Sequence, residues 1–356
     1  MTATSMFDRL DADRPLKVVV AGAGAMGTAW ARAVGANPRF ELSAIVDADE
    51  RRAKALAIRL RAPGLPVTAS VADLAGVSVD ICINATPPTE HFGVIDAALE
   101  ADLAVLSEKP FTGNLKEAGL LAGKARALGK LLMVSQSRRY QPGLERFRAG
   151  VRRLGGLYSL HTSFSRSYPG TGFRARLAQP LLTDMAVHAF DAARYVTGAA
   201  PVEVYCDTVR RSGSGYEGPA EASAVFEMSD GLRFHYSGSW CAPGLPTPWG
   251  GRWRAVGTEG SVEWDGAGRV RGGGPDGEHA DNDVETVDDA TFDRDPVRQV
   301  ARPLEEFGEA LTTGASPWGE ASDNLRTVAM VEAAVISAQR RMPVRIDELL
   351  AEAWAT

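Results

Sequence analysis

The chain has 356 residues, 45% of them hydrophobic and 24% charged, a composition that excludes a wholly disordered, collagen-like or coiled-coil protein. The length is too great for one small core and predicts two domains, at roughly 100–200 residues per domain. The formal net charge is −6 and no long Lys/Arg run offsets it, which argues against nonspecific binding to nucleic acid or to anionic membranes.

Cysteine usage and the hydrophobic runs indicate a soluble, cytoplasmic protein. None of the three cysteines, Cys82, Cys206 and Cys241, lies in a CxxC spacing, so neither a disulfide framework nor a thiolate zinc site is predicted. The apolar run over residues 18–36 contains four glycines and Arg32, and the charges before it are mixed in sign. We therefore interpret this run as a buried strand followed by a helix, not as a signal peptide or a membrane span.

Strands and helices alternate over residues 16–137, after a leader at 1–15 that we expect to be flexible. The strands are continuously apolar, as in LKVVVAG and VDICINA, which is typical of a parallel sheet covered on both faces. The sequence therefore predicts an N-terminal Rossmann domain with a doubly wound α/β fold. The predicted strands lie at 16–22, 41–47, near 67, and at 79–85, 103–109 and 130–135, with helices between them.

In the second half of the chain, strands follow one another directly and are joined by Gly/Ser/Asp turns. This pattern predicts a C-terminal α+β domain over 138–347 with a large open, mostly antiparallel sheet, and a tail at 348–356. Two helices interrupt the strands, at 184–196 and at 323–340, and the second is expected to pack back on the Rossmann domain. The acidic, glycine-rich stretch at 271–295 is predicted to be a mobile loop without assigned chemistry.

The strongest local motif is AGAGAMG, in which Gly22, Gly24 and Gly27 have the G-x-G-x-x-G spacing between a predicted strand and a predicted helix. Gly22 permits a tight turn, Gly24 a close approach of the main chain to a pyrophosphate, and Gly27 close helix–strand packing. The helix N-terminus adds the N–H groups of Ala25 and Met26. The motif predicts a dinucleotide site, with a glycine-rich packing turn that binds no ligand as the alternative.

The end of the second predicted strand indicates which dinucleotide is bound. Asp47 stands where a carboxylate accepts hydrogen bonds from the adenosine ribose and would repel a 2′-phosphate. Arg51 and Arg52 follow closely and would neutralise such a phosphate if either folded back, although on a helix both are expected to face solvent. We predict NAD, with NADP as the alternative, and we include Arg52 among the cofactor-binding candidates.

Two further motifs end parallel strands and therefore lie on the cofactor edge of the sheet. ATPPTEH places Thr86 and Pro87 near the ribose, whereas His91 is interpreted as an exposed residue at a helix start. SEKP contains Glu108 and Lys109. A lysine held near a nicotinamide can hydrogen-bond a substrate hydroxyl and stabilise alkoxide-like charge. A solvated strand end is the alternative reading of SEKP.

The segment LLTDMAVHAFDAARYVTG places Asp184, His188 and Asp191 on one face of a predicted helix. Histidine exchanges protons near neutral pH, and a neighbouring carboxylate can fix its tautomer or bind a second substrate hydroxyl. A purely structural histidine is the alternative. No third ligand accompanies Asp184 and His188, so we predict no metal site.

The order of these motifs resembles the glucose–fructose oxidoreductase/inositol dehydrogenase/MocA family. The resemblance rests on AGAGAMG, Asp47, SEKP, QSRRYQP at 136–142 and the D-xxx-H-xx-D helix, and it runs from about residue 16 to 347. It implies NAD(P)-dependent, reversible oxidation of a secondary hydroxyl of a sugar, inositol or related polyol. It also implies a homodimer or homotetramer formed through the C-terminal sheet. Carried over by position, Lys109, Asp184 and His188 are the catalytic residues, while Glu108 and Arg139 lie at the cofactor.

Within this resemblance, our hypothesis is that His188 accepts the hydroxyl proton and that Lys109 stabilises the developing negative charge. Two alternatives stay open: a glycosidase-like redox-elimination enzyme that uses NAD catalytically, and a non-catalytic dinucleotide-binding regulator. The segment AQPLLTDMAVH departs from the glycine-rich form common in the family, so Pro180 and Met185 are expected to reshape the substrate side. Candidates for a sugar pocket, with a structural role as the alternative, are Tyr168, Arg174, Trp249 and Trp253.

Overall fold

The computed structural model of the protein describes residues 7–275 and 285–354 and divides into two compact units. The first unit contains the chain up to Ser137, the segment Asp295–Leu325 and the chain from Ala353 onward. The second unit contains Arg138–Arg294 and Arg326–Glu352. Residues 295–325 therefore belong to the first unit and not, as predicted, to the C-terminal domain.

The described residues contain fifteen strands. Those of the first unit are β1 (Leu16–Ala21), β2 (Phe40–Val46), β3 (Val67–Thr68), β4 (Ile81–Asn84), β5 (Ala104–Glu108) and β6 (Leu132–Ser135). Those of the second unit are β7 (Leu157–Ser165), β8 (Pro201–Val209), β9 (Glu221–Met228), β10 (Arg233–Ser239), β11 (Arg252–Gly257), β12 (Gly260–Trp264), β13 (Arg269–Gly273), β14 (Glu285–Thr286) and β15 (Val344–Arg345).

The same residues contain eleven α-helices, none of which is long and apolar enough to cross a membrane. The helices are α1 (Ala25–Ala36), α2 (Glu50–Arg59), α3 (His91–Glu100), α4 (Leu115–Ala127), α5 (Pro142–Val151), α6 (Gly172–Ala175), α7 (Val187–Thr197), α8 (Asp289–Arg294), α9 (Pro296–Thr313), α10 (Ala321–Arg340) and α11 (Ile346–Trp354). A π-helix, Leu181–Ala186, leads directly into α7.

The first unit is built on a six-stranded parallel sheet in the order β3-β2-β1-β4-β5-β6. This order confirms the predicted Rossmann fold. The central strand β1 is fully buried from Val18 to Ala21, as expected for a strand covered on both faces. Because all six strands run in one direction, the segments that follow β1, β2, β4 and β5 meet at a single edge of the sheet.

The described part of the predicted leader is packed onto the first unit. Phe7 is buried in its hydrophobic core. The backbone N–H of Asp8 donates to the carbonyl oxygen of Gly129, and that of Leu10 donates to the carbonyl oxygen of Leu311. The expectation of a flexible leader is therefore wrong for residues 7–10, and residues 1–6 lie outside the described part of the chain.

Helix α9 packs against α1 and completes the core of the first unit. Its apolar side chains Val300, Leu304 and Phe307 are buried in the same cluster as Trp30 and Val34 of α1. The amphipathic pattern of α9 identifies it as a surface helix, but this pattern does not say which sheet the helix covers. No helix was predicted over 296–313, and this segment fell within the predicted C-terminal domain.

The second unit contains a nine-stranded sheet in the order β14-β13-β12-β11-β7-β10-β9-β8-β15. Only the β10–β7 pair is parallel, so the predicted open, mostly antiparallel sheet is confirmed. Along β9, for example, Ala222, Ala224 and Phe226 are buried whereas Ser223 and Val225 are exposed. One face of the sheet therefore packs inward, and the other face lies open within its unit.

The stretch at 271–295, predicted to be a mobile loop, contains ordered elements at both of its described ends. β13 extends to Gly273, β14 pairs with it, and α8 follows. Asp289 of α8 is fully buried and accepts hydrogen bonds from the N–H of Gly143 (2.8 Å) and from Nε1 of Trp264 (2.9 Å). The loop prediction is therefore wrong for these ends, and residues 276–284 lie outside the described part.

We expect Asp289 to make stability depend on pH. Burial raises the pKa of Asp289 to about 6, because lost hydration disfavours the carboxylate more than its two hydrogen bonds favour it. The folded state then binds this proton more tightly than the unfolded chain does. The corresponding stability is fully present below about pH 4 and is lost as the pH rises through about 6.

Urea unfolding of the wild type and of Asp289→Asn at several pH values tests this expectation. The free energy of unfolding of the wild type should fall relative to that of the variant from about pH 4 to about pH 6, and then level off. A difference between the two proteins that stays constant over this range would contradict the assignment.

Candidate active site

The glycine loop between β1 and α1 has the geometry of a phosphate-binding turn. Gly22 has φ +99°, and a Cβ added there would lie 2.5 Å from the carbonyl oxygen of Ala85. A Cβ on Gly27 would lie 1.7 Å from the carbonyl oxygen of Gly22, so α1 packs directly against the loop. Gly24 precedes α1 at the N-cap position and has no side chain that could cap the helix. The N–H groups of the first turn, which begins with Ala25 and Met26, are thus suited to an anion.

Asp47 follows β2 at the same edge of the sheet. Its Oδ2 accepts a hydrogen bond from the N–H of Ala23 (2.8 Å), and its Oδ1 accepts one from the N–H of Asp49 (3.0 Å). Nε of Arg52 lies 4.0 Å from Oδ2 of Asp47, and Nη2 of Arg52 lies 3.6 Å from the position that a Cβ on Gly24 would take. The predicted acid and Arg52 therefore stand together beside the glycine loop.

A buried histidine joins the segments that follow β4 and β5. Nδ1 of His91 lies 2.7 Å from the carbonyl oxygen of Pro110, and Nε2 lies 3.1 Å from that of Thr86. His91 is only 1% exposed, and burial lowers its pKa. The prediction of an exposed helix-start residue is therefore wrong. His91 does begin α3, but it links Thr86, a predicted cofactor contact, to Pro110 in the segment after β5.

Glu108 and Lys109 stand at the end of β5. Oε1 of Glu108 accepts a hydrogen bond of 2.9 Å from the indole Nε1 of Trp30, and burial raises the pKa of Glu108. The backbone N–H of Lys109 donates to Oε2 of the same carboxylate at 3.3 Å. Trp30 is fully buried in α1, and no sequence motif marks it as a site residue. It holds the carboxylate that precedes the predicted catalytic lysine.

In the second unit, Asp184 lies in the π-helix and His188 lies one turn later, at the start of α7. π-Helical turns occur frequently at functional sites. Nε of Arg174 donates to Oδ2 of Asp184 at 2.5 Å. Arg174, a candidate for a sugar pocket, thus forms an ion pair with the predicted catalytic carboxylate. Asp184 is buried, whereas His188 is half-buried.

Arg139 is engaged by Asp191 of α7. Nε and Nη2 of Arg139 donate to the two carboxylate oxygens of Asp191, each at 2.6 Å, and both side chains are 2% exposed. The hydroxyl of Thr327 donates to Oδ1 of the same carboxylate at 2.9 Å. This buried pair anchors α7, the helix that carries His188. The cofactor contact predicted for Arg139 remains a prediction.

Aromatic side chains of the second unit form a cluster that includes two candidates for a sugar pocket. The ring of Tyr168 lies 5.6 Å from that of Trp240 and 6.0 Å from that of Trp249, and the guanidinium of Arg166 lies 4.5 Å from the centre of the Trp249 ring. Tyr168 and Trp249 are partly exposed. Trp253, by contrast, is buried and stacks on a core phenylalanine, which favours the structural alternative for this residue.

The predicted site residues thus fall into two sets, one in each unit. The carboxyl edge of the first sheet brings together Gly22, Gly24, Ala25, Met26, Gly27, Asp47, Arg52, Thr86, Pro87, Glu108 and Lys109. The second unit holds Asp184, His188 and Arg139. Within residues 7–275 and 285–354, no three His, Cys, Asp or Glu side chains are grouped as a metal ion would require.

The glycine loop, the helix N-terminus and Asp47 define a dinucleotide-binding protein, and comparison with known families agrees. Residues 16–136 match the domain described as "Oxidoreductase family, NAD-binding Rossmann fold". Residues 150–263 match the "GFO/IDH/MocA C-terminal domain". The chain belongs to the GFO/IDH/MocA family of NAD-binding oxidoreductases, which confirms both the resemblance and the prediction of NAD.

Two of the following relatives match over nearly their whole length, and a third matches over about three fifths of its length. The uncharacterized protein y4oX of Sinorhizobium fredii is 28% identical, over 94% of this chain and 96% of its own. The rhizopine catabolism protein MocA of Rhizobium meliloti is also 28% identical, over 88% of this chain and 92% of its own. The myo-inositol dehydrogenase Hyg17 of Streptomyces leeuwenhoekii is 30% identical, over 54% of this chain and 59% of its own.

Solved structures share the fold over nearly the whole chain. An oxidoreductase from Agrobacterium radiobacter, solved with NAD+, L-tartaric acid and magnesium, has a TM-score of 0.84 at 21% identity, covering 94% of this chain and 99% of its own. GenD2 from gentamicin A biosynthesis, solved with NAD, has a TM-score of 0.77 at 26% identity, covering 95% of this chain and 98% of its own.

Asp47→Ala is expected to weaken NAD binding by about 10- to 100-fold, because hydrogen bonds to a charged group contribute about 1.5–3 kcal/mol each. NADP should lose less affinity, because the repulsion of its 2′-phosphate by the carboxylate is removed at the same time. Isothermal titration calorimetry with both dinucleotides measures the two effects. Arg51→Ala is the control, since Arg51 is 91% exposed and pairs with Asp49. An unchanged NAD affinity in Asp47→Ala would contradict the ribose assignment.

Proposed function

We propose that the protein is an NAD(P)-dependent dehydrogenase that reversibly oxidises a secondary hydroxyl of a sugar, inositol or related polyol. The observation that carries the proposal is Lys109 at the carboxyl end of β5. This lysine lies on the same sheet edge as the glycine loop and next to Glu108, whose carboxylate is hydrogen-bonded by Trp30. The names of the relatives support the substrate class, since these include a myo-inositol dehydrogenase and the rhizopine catabolism protein MocA.

The cofactor pocket fits NAD, because the loop can close only with glycine at Gly22 and Gly27, where a Cβ would collide with backbone oxygens, and because Gly24 presents a bare main chain to a pyrophosphate. When bound, NAD supplies a hydride acceptor. In the proposed mechanism the ammonium of Lys109 donates a hydrogen bond to the reacting oxygen and stabilises its developing negative charge. The imidazole of His188, in its neutral form, accepts the hydroxyl proton.

Asp184 and Arg174 are proposed to bind the rest of the substrate. The carboxylate of Asp184 can accept hydrogen bonds from a neighbouring substrate hydroxyl while Arg174 holds it in place through the 2.5 Å contact. Both oxygens of a carboxylate accept hydrogen bonds, which suits the binding of substrate hydroxyls. Asp184 therefore orients the substrate in this proposal, and the proton is transferred to His188.

Incubation with NAD and a panel of inositols, aldoses and amino sugars tests the proposed function. We expect NADH absorbance at 340 nm to increase with at least one of these substrates. If no compound gives NADH, analysis of glycoside products formed with catalytic NAD detects redox elimination. The absence of both NADH and cleavage products across the panel would contradict the proposed enzyme and favour the regulator.

We further propose that the chain assembles through the open face of the nine-stranded sheet. A hollow of about 930 Å³ lies on this face, and its lining includes His161 and His235, which stack with ring centroids 4.4 Å apart. Exposed apolar side chains, Tyr205 (47%) and Val225 (41%), stand beside it. Such side chains favour burial against a second copy.

Val225→Arg is expected to shift the assembly towards monomers, because an unpaired guanidinium would be buried at the interface. Sedimentation velocity of the wild type and the variant measures this shift. The control is Ile58→Arg, since Ile58 is 65% exposed on α2 in the first unit. If Val225→Arg sediments as the wild type does, the open face is not the interface.

We also infer a cytoplasmic location, because the cysteines of the chain suit a reducing compartment. Cys82, Cys206 and Cys241 are all free thiols. Cys82 and Cys206 are buried, and burial raises the pKa of each to about 12. Such thiols gain nothing from an oxidising compartment.

A further inference from the structure

A small cavity lies in the second unit between α7 and the inner face of the sheet. Its volume is about 20 Å³. Polar side chains contribute to its wall, although most of the wall is apolar. The polar lining residues are Arg138, Gln141, Thr162, His188 and Tyr236. His188 thus contacts this cavity as well as being the proposed proton acceptor.

Two of these polar groups have hydrogen-bonding capacity that no described residue uses. Oε1 and Nε2 of Gln141 are both buried without a partner in the described part of the chain, and the residue is fully buried. The hydroxyl of Tyr236 is likewise buried without a hydrogen-bond partner among the described residues, and Tyr236 is 3% exposed. Buried polar groups are almost always hydrogen-bonded, so three such atoms at one cavity indicate a missing partner.

The size and chemistry of the cavity suit one water molecule. A water needs a cavity of roughly 10–15 Å³ and two to four polar partners, and it is excluded from purely apolar cavities. The Gln141 amide can both donate and accept, and the Tyr236 hydroxyl can do the same. Gly238 keeps room for that hydroxyl, since a Cβ there would lie 2.1 Å from it.

We propose that this cavity holds one ordered water, bound by the Gln141 amide and the Tyr236 hydroxyl, which hydrogen-bonds Nδ1 of His188 and makes Gln141 a positioning residue for that imidazole. The inference rests on the proposed function, in which His188 exchanges the substrate proton. Nδ1 of His188 is buried, whereas the residue as a whole is half-buried. A fixed partner on Nδ1 sets the tautomer and the orientation of the ring.

Several charged groups lie around the cavity or on the helical turn before His188, and they must be kept constant in any test. Arg138 lines the same cavity, and Oδ1 of Asp293 lies 3.7 Å from Nη1 of Arg138. Asp184 precedes His188 by one turn and is paired with Arg174. Because Gln141 is neutral, its replacement by an apolar residue leaves all of these charges in place.

The test uses the full-length protein labelled with ¹³C-histidine. NMR titration gives the pKa and tautomer of His188, which is assigned among the five histidines by comparison with His188→Ala. In Gln141→Leu we expect the measured pKa of His188 to change by about 0.5 to 1, the size of one lost hydrogen bond. We also expect kcat to fall about 5- to 20-fold while KM changes less than about twofold.

Tyr236→Phe and the double variant separate a shared water from a general packing effect. Tyr236→Phe should shift the pKa of His188 in the same direction. The double variant should shift it no further than Gln141→Leu does, because both side chains act through one water. Leu144→Met, which changes an apolar residue of the same cavity wall, should leave the pKa unchanged. Additive shifts, or an equal shift in Leu144→Met, would overturn the proposal.

A crystal structure of the wild type gives a direct readout. We expect density for one water within hydrogen-bonding distance of the Gln141 amide and the Tyr236 hydroxyl. An empty cavity would overturn the inference. The titration needs neither NAD nor substrate, so its result stands even if the NADH screen is negative. Conversely, an active enzyme with an unchanged His188 pKa in Gln141→Leu contradicts only this inference.

Discussion

His188→Ala is expected to lower kcat by roughly 10²- to 10⁴-fold, the usual contribution of a general acid–base group. The imidazole is the proposed acceptor of the substrate proton, and alanine offers no replacement. The variant should fold normally, since His188 is half-buried and the buried pair of Arg139 with Asp191 still anchors α7. Stopped-flow measurement of NADH formation at saturating substrate isolates the chemical step.

Comparison with Lys109→Ala tests whether the two proposed groups contribute to one reaction. Lys109→Ala should also lose about 10²- to 10⁴-fold in kcat, and both variants should bind NAD with nearly the affinity of the wild type. Arg302→Gln, which changes an exposed side chain of α9, is the control for turnover. Wild-type turnover in either His188→Ala or Lys109→Ala on the true substrate would contradict the assigned role.

Gly27→Ala is expected to weaken NAD binding by at least about 100-fold. The added Cβ would lie 1.7 Å from the carbonyl oxygen of Gly22, a backbone atom that cannot move without displacing the loop. Overpacking of this kind costs about 3 kcal/mol or more where backbone must shift, which corresponds to a loss of NAD affinity of at least about 100-fold. Titration calorimetry measures the affinity, and thermal unfolding measures the accompanying loss of stability.

Gly35→Ala is the matched control within the same helix. Gly35 lies near the C-terminal end of α1, and a Cβ there would meet nothing within 4 Å. Alanine favours a helix over glycine by up to about 1 kcal/mol, so this variant should be as stable as the wild type or more so. If Gly27→Ala and Gly35→Ala bind NAD equally well, the loop is not the phosphate site.

The sequence was sufficient to predict most of the fold, because burial on both faces leaves a direct pattern. The apolar strands of the first unit predicted a parallel sheet, and the directly successive strands of the second predicted a mostly antiparallel one; both are confirmed. Helix α9 was not predicted, and residues 295–325 were placed in the C-terminal domain because helix periodicity does not show which surface a helix covers. The buried Asp289 was missed because its partners, Gly143 and Trp264, are distant in sequence.

The candidate site was predictable where it follows from strand ends and less so where it depends on tertiary contacts. Gly22, Gly27 and Asp47 follow β1 and β2, so the spacing alone predicted their common edge. The partner contacts of the site were not predictable in this way. The hydrogen bonds from Trp30 to Glu108 and from Arg174 to Asp184 join segments that share no sequence motif. Only folding brings these segments together.

The nucleotide-binding half cannot be excised as one contiguous stretch. α1 packs against α9, which the ribosome synthesises only after most of the second unit. Until α9 emerges, the apolar side of α1 around Trp30 has no cover, and the nascent chain exposes a surface that chaperones recognise. A minimal NAD-binding fragment would therefore require a linker that joins residues 7–137 to residues 295–325.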